Sequence, residues 1–257
     1  MKLTSRILTA IAIAGVGLPI IYFGAWLLKG LIIILSLLLG WEAGKLRAFK
    51  QPLMVSLLVI AALISLTFVS DGIVVYVIGF WLLLIFFLPY WDFDYKLLDI
   101  LTLLTMVLLV ALGFRAVIAL RERNMMLVYL VILTAILTDT FAFFIGSFLG
   151  KHKLAPQISP NKTIEGSLAG WLGAGIFAFL FNYFTKLSLP FYFVSCFALL
   201  SPVVTQIGDL AFSLIKRNYG LKDFSNIFGT HGGVFDRLDS LVFGFILMNF
   251  LINVVLG

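Results

Sequence analysis

The residues best suited to chemistry crowd into SLIKRNYGLKDFSNIFGTHGGVFDRLDS, residues 213–240. This segment joins a basic set (Lys216, Arg217, Lys222, Arg237), an acidic set (Asp223, Asp236, Asp239), the imidazole of His231 and the pair Gly232–Gly233, whose backbone can approach a ligand closely. Both signs of charge in so short a stretch argue against a simple membrane anchor. Asp236, Asp239 and Ser240 fall at i, i+3 and i+4, on one face at the start of an apolar helix and beside its exposed first amides. Just upstream, Asp209, Ser213 and Lys216 at i, i+4 and i+7 line one face of VVTQIGDLAFSLIKR. Carboxylates with little nitrogen or sulfur company select hard cations such as Mg2+, while lysine and arginine select phosphate. The combination describes a metal–polyphosphate site. A zinc site is excluded by ligand supply: the two histidines stand at 152 and 231, and the single cysteine, Cys196, lies in the apolar run FYFVSCFALL. No GxxxxGK[ST] pattern is present, which excludes a phosphate-loop NTPase.

A second set lies earlier. Asp139 sits in AILTDTFAFFIGSFLG, where Gly146 and Gly150 would let another helix or a ligand come close. A carboxylate within a membrane span costs about 2.5–3.5 kcal/mol on insertion scales, so Asp139 and Asp209 each need a partner or a purpose. GKHKLAPQISPNKTIEGS, residues 150–167, reads as a basic cytoplasmic loop. Its Lys162 and the Thr163 hydroxyl stand near a helix start, where phosphate can be held.

The elements that position these residues are set by lipid. The 257 residues are 62% hydrophobic and only 12% charged, with a mean hydropathy of +1.15. That composition predicts an all-α polytopic integral membrane protein. Apolar runs predict about nine transmembrane helices, at roughly 7–28, 30–44, 52–70, 72–90, 97–118, 125–148, 167–185, 189–214 and 234–256. The opening MKLTSRILTAIAIAGVGLP is expected to be a retained first span, because no small-x-small cleavage site follows. With the N-terminus inside, cytoplasmic segments collect thirteen of the eighteen Lys and Arg. The RERN segment around Arg121 and Arg123 violates that bias, which points to a fifth span displaced or broken near Gly113. The net charge of +6 suits a membrane surface, an anionic lipid or a polyphosphate. Residues 1–90 hold only two acidic residues, Glu42 and Asp71, both at breaks or span ends. Residues 1–96 are therefore expected to form a structural layer and residues 97–257 the catalytic region. A transporter would spread its charges along a route and show repeat symmetry, and neither pattern is visible.

The run Ser213-x-x-Lys216-Arg217-x4-Lys222-Asp223-x-Ser225-x2-Phe228-Gly229-x-His231-Gly232-Gly233-x-x-Asp236-Arg237-x-Asp239 resembles the signature of phosphatidate cytidylyltransferases, also called CDP-diacylglycerol synthases. Asp139 to Gly150, followed by Ile158-Ser159-Pro160-x-Lys162-Thr163-x-Glu165-Gly166, is similar to that family's other cytoplasmic motif, with Asn161 where a second lysine is expected. The resemblance implies a dimeric enzyme of the cell inner membrane. Its polar cavity would face the cytoplasm and open laterally to lipid, and it would convert CTP and phosphatidic acid to CDP-diacylglycerol and pyrophosphate. It implies Mg2+ on Asp209 and Asp236, with Asp239 or Asp139 completing a second cation site for Mg2+ or K+. Lys162, Lys216, Arg217, Lys222 and Arg237 would bind phosphate oxygens, Gly232 and Gly233 would offer amides, and Ser159 and Thr163 hydroxyls. Glu165 and Asp223 would belong to the substrate site, and His231 would contact phosphate or the metal shell. No nucleic-acid partner is implied. Rival readings are a CTP-dependent lipid kinase of the dolichol or phytol type, a cytidylyltransferase for an archaeal ether lipid, and an ion-coupled transporter.

Overall fold

The computed structural model of the chain describes residues 15, 19–46, 51–87, 96–229 and 232–256. Its helices are α1 (Ala25–Gly44), α2 (Pro52–Phe68), α3 (Val74–Phe86), α4 (Leu97–Arg123), α5 (Met125–Leu149), α6 (Ile164–Thr185), α7 (Phe191–Asn218) and α8 (Phe235–Leu251), the last continued by a π-helical turn, Ile252–Leu256. Between α5 and α6 lies an antiparallel hairpin of β1 (Lys153–Ala155) and β2 (Ser159–Thr163), pairing Lys153 with Thr163 and Ala155 with Ser159. Among the described residues six helices are long and apolar enough to cross a membrane: α1, α4, α5, α6, α7, and α8 with its π-helical extension. Helices α2 and α3 are equally apolar but run only 17 and 13 residues. The all-α polytopic class follows. Large apolar residues such as Trp26, Phe148 and Phe191 face outward, as lipid contact requires.

Several expected boundaries shift. Half of the 7–28 span lies outside the described residues, and its described end breaks at Gly24, φ 153°. Helix α1 therefore starts at Ala25 and takes in Lys29, whose ammonium reaches over the Trp26 ring at 5.8 Å instead of marking a break. Helix α4 passes Gly113 without interruption and ends at Arg123. The RERN segment is thus a helix end whose arginines complement the dipole, and Asn124 caps α5 by accepting from the Met126 amide at 2.9 Å. The basic loop 150–167 is largely the β hairpin, and α6 begins at Ile164, three residues earlier than expected.

The chain divides into two compact units, Met1–Arg115 with Asn218–Asp236, and Ala116–Arg217 with Arg237–Gly257. The segment after α7 belongs to the same unit as the N-terminal helices. In the first unit α1 packs on α2 through Gly40, where an added Cβ would stand 2.8 Å from the Ser56 carbonyl. Arg115, inside α4, turns its guanidinium to the end of α2, donating to the Leu66 and Val69 carbonyls at 3.0 and 2.7 Å and pairing with Asp71. A charge within a span is thereby matched by helix-end carbonyls and an anion.

In the second unit α5 and α6 meet closely: a Cβ added to Gly170 would lie 2.6 Å from the Thr138 carbonyl. Thr163 ends the hairpin and caps α6, its hydroxyl accepting from the Gly166 amide at 3.2 Å. Helix α7 runs through Pro202, which deprives the Ala198 carbonyl of its helical donor. That carbonyl faces Gly175 of α6, where a Cβ would come within 3.2 Å.

Candidate active site

In the second unit the polar stripe of α7 forms as its spacing predicts. Ser213 and Lys216 are buried, and the Ser213 hydroxyl donates to Asp209 Oδ1 at 3.4 Å. The hairpin brings Lys162 onto the same stripe, where its ammonium pairs with Asp209 Oδ2, the two side chains 22% and 27% exposed. Lys162 Nζ is buried and, that ion pair aside, has no hydrogen-bond partner among the described residues. Asp239, on the first turns of α8, is only 6% exposed, and its Oδ1 accepts from the Ser240 amide at 2.7 Å. Asp209, Lys216 and Asp139 all lie within electrostatic reach of Asp239, and Lys162, Asp209 and Arg237 within reach of Asp139. Four separate pieces of chain, α5, the hairpin, α7 and α8, thus bring three carboxylates and three cations together. Gly208 permits the approach of α8 to α7, because a Cβ there would lie 2.6 Å from the Asp239 carbonyl.

The arrangement sets carboxylates and ammonium groups side by side. Three carboxylates in an apolar surround repel one another, while Lys162 and Lys216 supply positive charge at the same place. All candidate donors are carboxylate oxygens, hard ligands of the kind Mg2+ takes. Among the described residues no group of three or more His, Cys, Asp or Glu converges into a cage by itself. An apolar groove of about 290 Å3 lies between α6 and α7, lined by Trp171, Ile176 and Phe179 among others, and none of the carboxylates lines it.

Other expected site residues sit elsewhere. Glu165 accepts from the His152 amide at 3.2 Å and pairs with its Nδ1 at 2.7 Å, fastening the start of the hairpin to α6. The Thr163 hydroxyl serves as the α6 cap. Ser159 begins β2 half-buried. Arg217 is exposed and donates from Nε to the Ile158 carbonyl at 3.1 Å, tying α7 to the hairpin. Lys222 and Asp223 are exposed in the loop after α7, and His231 lies outside the described residues.

That loop belongs to the first unit, and there the structure differs most from a reading by residue type. Asp236 Oδ2 accepts from the Phe224 and Gly233 amides, both at 2.9 Å. The Gly233 amide, expected to face phosphate, is therefore already given to a carboxylate. Gly232 has φ 77°, and a Cβ there would lie 2.7 Å from Asp236 Oδ2, so the turn admits only glycine. The adjacent amides of Val234 and Phe235 donate to Glu42, at 2.7 Å to Oε1 and 3.0 Å to Oε2, and the Ser225 hydroxyl donates to Oε1 at 2.5 Å. Tyr219 anchors the start of the loop by donating to Asp99 Oδ1 at 2.9 Å; burial first, then the Asp99 charge, push its phenol up to about 12. Glu42 and Asp99 carry no signal as site residues in sequence, and Ser225 carries one only as a member of the signature run. The one available hint for Glu42 is an acidic residue near the end of an otherwise apolar run.

Membrane-length helices, one group of which brings aspartates and lysines together, define an integral membrane protein. The chain matches the cytidylyltransferase family over residues 4–255 and belongs to it. It is similar to the phosphatidate cytidylyltransferase of Bacillus subtilis (strain 168), 43% identical over 115 residues, covering 45% of this chain and 43% of the relative. The phosphatidate cytidylyltransferases of Staphylococcus haemolyticus and Staphylococcus aureus (strain COL) are each 37% identical over 143 residues, covering 56% of this chain and 55% of theirs. The chain spans about half the length of the curated relatives it matches.

Proposed function

We propose that this protein is a phosphatidate cytidylyltransferase, a nucleotidyltransferase that makes CDP-diacylglycerol and pyrophosphate from phosphatidic acid and CTP. The observation that carries the reading is the meeting of Asp139, Asp209 and Asp239 with Lys162 and Lys216 inside a bundle of membrane helices. Family membership and the names of the similar bacterial proteins support it. A nonbridging oxygen of the lipid phosphate bonds to the α-phosphorus of CTP, while the bond from that phosphorus to the oxygen shared with the β-phosphorus breaks in line. The electron pair leaves with pyrophosphate. No general base is needed, because a phosphate monoester, with a second pKa near 6, is mostly dianionic at neutral pH.

Two anions must meet, so the residues here serve mainly to cancel charge. Lys162 and Lys216 hold phosphate oxygens, with Arg237, Arg217, Lys222 and His231 lending further contacts. On substrate binding Lys162 passes from the Asp209 carboxylate to a phosphate. Asp209, Asp236 and Asp239 suit Mg2+ by donor type. Asp209 and Asp239 fit an ion that completes its shell with water and substrate phosphate, the habit of Mg2+, and the family resemblance adds Asp236 as a ligand. When bound, Mg2+ supplies charge neutralisation at the transferring phosphorus, with a second cation, Mg2+ or K+, beside Asp139 or Asp239. The concentration of Lys and Arg in the expected inner loops favours a polar cavity on the cytoplasmic side of the cell membrane, in a homodimer of nine-span subunits.

Purified protein given CTP, phosphatidic acid and Mg2+ should release CDP-diacylglycerol and pyrophosphate in equal amounts. Release of CDP with a newly phosphorylated lipid would instead make it a lipid kinase.

A further inference from the structure

We infer that Glu42, a carboxylate of the first described span, is a positioning residue that holds the loop before α8 in its working shape. The inference rests on the cytidylyltransferase reading for its kinetic consequence, while its structural half stands alone. Glu42 is wholly buried in α1, and no cation among the described residues pairs with it. Its partners are all neutral donors from one short stretch: Ser225 Oγ and the amides of Val234 and Phe235. Those two amides stand at the start of α8, where a helix has no carbonyls of its own to satisfy them. Glu42 is thus a cap supplied from another helix, 192 and 193 residues away in sequence.

Packing alone does not account for a carboxylate here. A buried ionised group is costly to desolvate, and a leucine would fill the α1–α2 interior without that cost. The loop is also shaped around this side chain. A Cβ on Gly233 would collide with Glu42 Oε1 and lie 2.7 Å from both Glu42 Cδ and Ser225 Oγ, at a residue whose φ is not positive. Glycine at 233 therefore makes room for Glu42, while Gly232 makes the turn. The two carboxylates divide the work: Asp236 gathers Phe224 and Gly233, Glu42 gathers Ser225, Val234 and Phe235, and the ring of Phe224 packs on that of Phe235 at 5.1 Å. With Glu42 in place, the first turn of α8, and Asp236 on it, has one orientation.

The test uses the full chain in nanodiscs. Glu42→Gln keeps the volume but turns one acceptor into a donor facing an amide, and Glu42→Asp keeps the charge but loses reach. In Glu42→Gln, amide exchange across 224–236 should accelerate by roughly tenfold to a hundredfold. The turnover number per folded molecule should fall by a similar factor, with Glu42→Asp between it and the parent. A filler of α1 would lower only the yield or melting point and leave both quantities unchanged. Gly233→Ala should show the same two effects. In Glu42→Ala it should add little, because the side chain it displaces is gone. Exchange and turnover of Glu42→Gln within twofold of the parent, or fully additive losses in the double variant, would overturn the inference. If the parent makes no CDP-diacylglycerol, the functional reading fails, and amide exchange alone decides the role of Glu42.

Discussion

Glu42 in the first unit is enclosed by neutral donors, the hydroxyl of Ser225 and the amides of Val234 and Phe235. Asp209 in the second faces the ammonium of Lys162, with Asp139 and Asp239 near enough to repel it. Both lie in helices of membrane length, and both meet the cost of a carboxylate away from water. Glu42 is satisfied by two backbone amides, which cannot leave, and by one hydroxyl. Asp209 is held by a side chain that can turn to another anion. A carboxylate matched by amides builds a loop, and one matched by a movable cation can take part in binding.

Breaking the second arrangement should have the largest effect. Asp209→Asn, which keeps shape and removes charge, should lower CDP-diacylglycerol formation roughly 10²- to 10³-fold with little change in folded yield, measured by product chromatography. Retention of a tenth of the parent rate would mean that Asp209 has no part beyond packing. Lys162→Met should follow with a loss of roughly tenfold to a hundredfold, the range of a charge-assisted contact to phosphate. Because the two side chains keep 22% and 27% exposure, melting should move less than turnover.

Smaller effects sharpen the division between building and binding. Thr163 builds, as the cap of α6, so Thr163→Ala should cost about 1 kcal/mol of stability, a melting shift of about 2–4 °C, and Thr163→Ser should restore it. The smallest effect is at Tyr219. Its phenol, raised above the ordinary value near 10, favours the protonated folded state, so that stabilisation is complete below about pH 10 and lost as pH rises toward 12. A phenolate absorbance titration should show one late step near pH 12 that Tyr219→Phe removes.

Much of the fold was legible because lipid demands long apolar runs. Each of the eight described helices coincides with an expected span, and the spacing of Asp209, Ser213 and Lys216 did describe one helical face. Boundaries failed where a residue had two readings. Lys29 looked like a loop charge and proved to be a snorkelling residue inside α1, and Gly113, where a break was expected, lies within an unbroken α4. The candidate site residues stood out in sequence by type, while their partners did not. Glu165 and Thr163, in a motif that suggested substrate contact, fasten the hairpin and cap a helix; the Gly233 amide, suited to phosphate, belongs to Asp236.

By itself the sequence determined that this chain is rich in membrane-length apolar runs and concentrates acidic and basic residues in a few short segments. Both follow from rules that act locally, the length of an apolar run and the pitch of a helix. Only the tertiary structure decided which carboxylate answers to which partner. Glu42 and Ser225 are 183 residues apart, and Lys162 reaches Asp209 from a separate hairpin. Hydrogen bonds and ion pairs across such separations depend on how helices pack, through close contacts such as Gly170 on Thr138 and Gly208 on Asp239, and packing is not written in the spacing of any one segment.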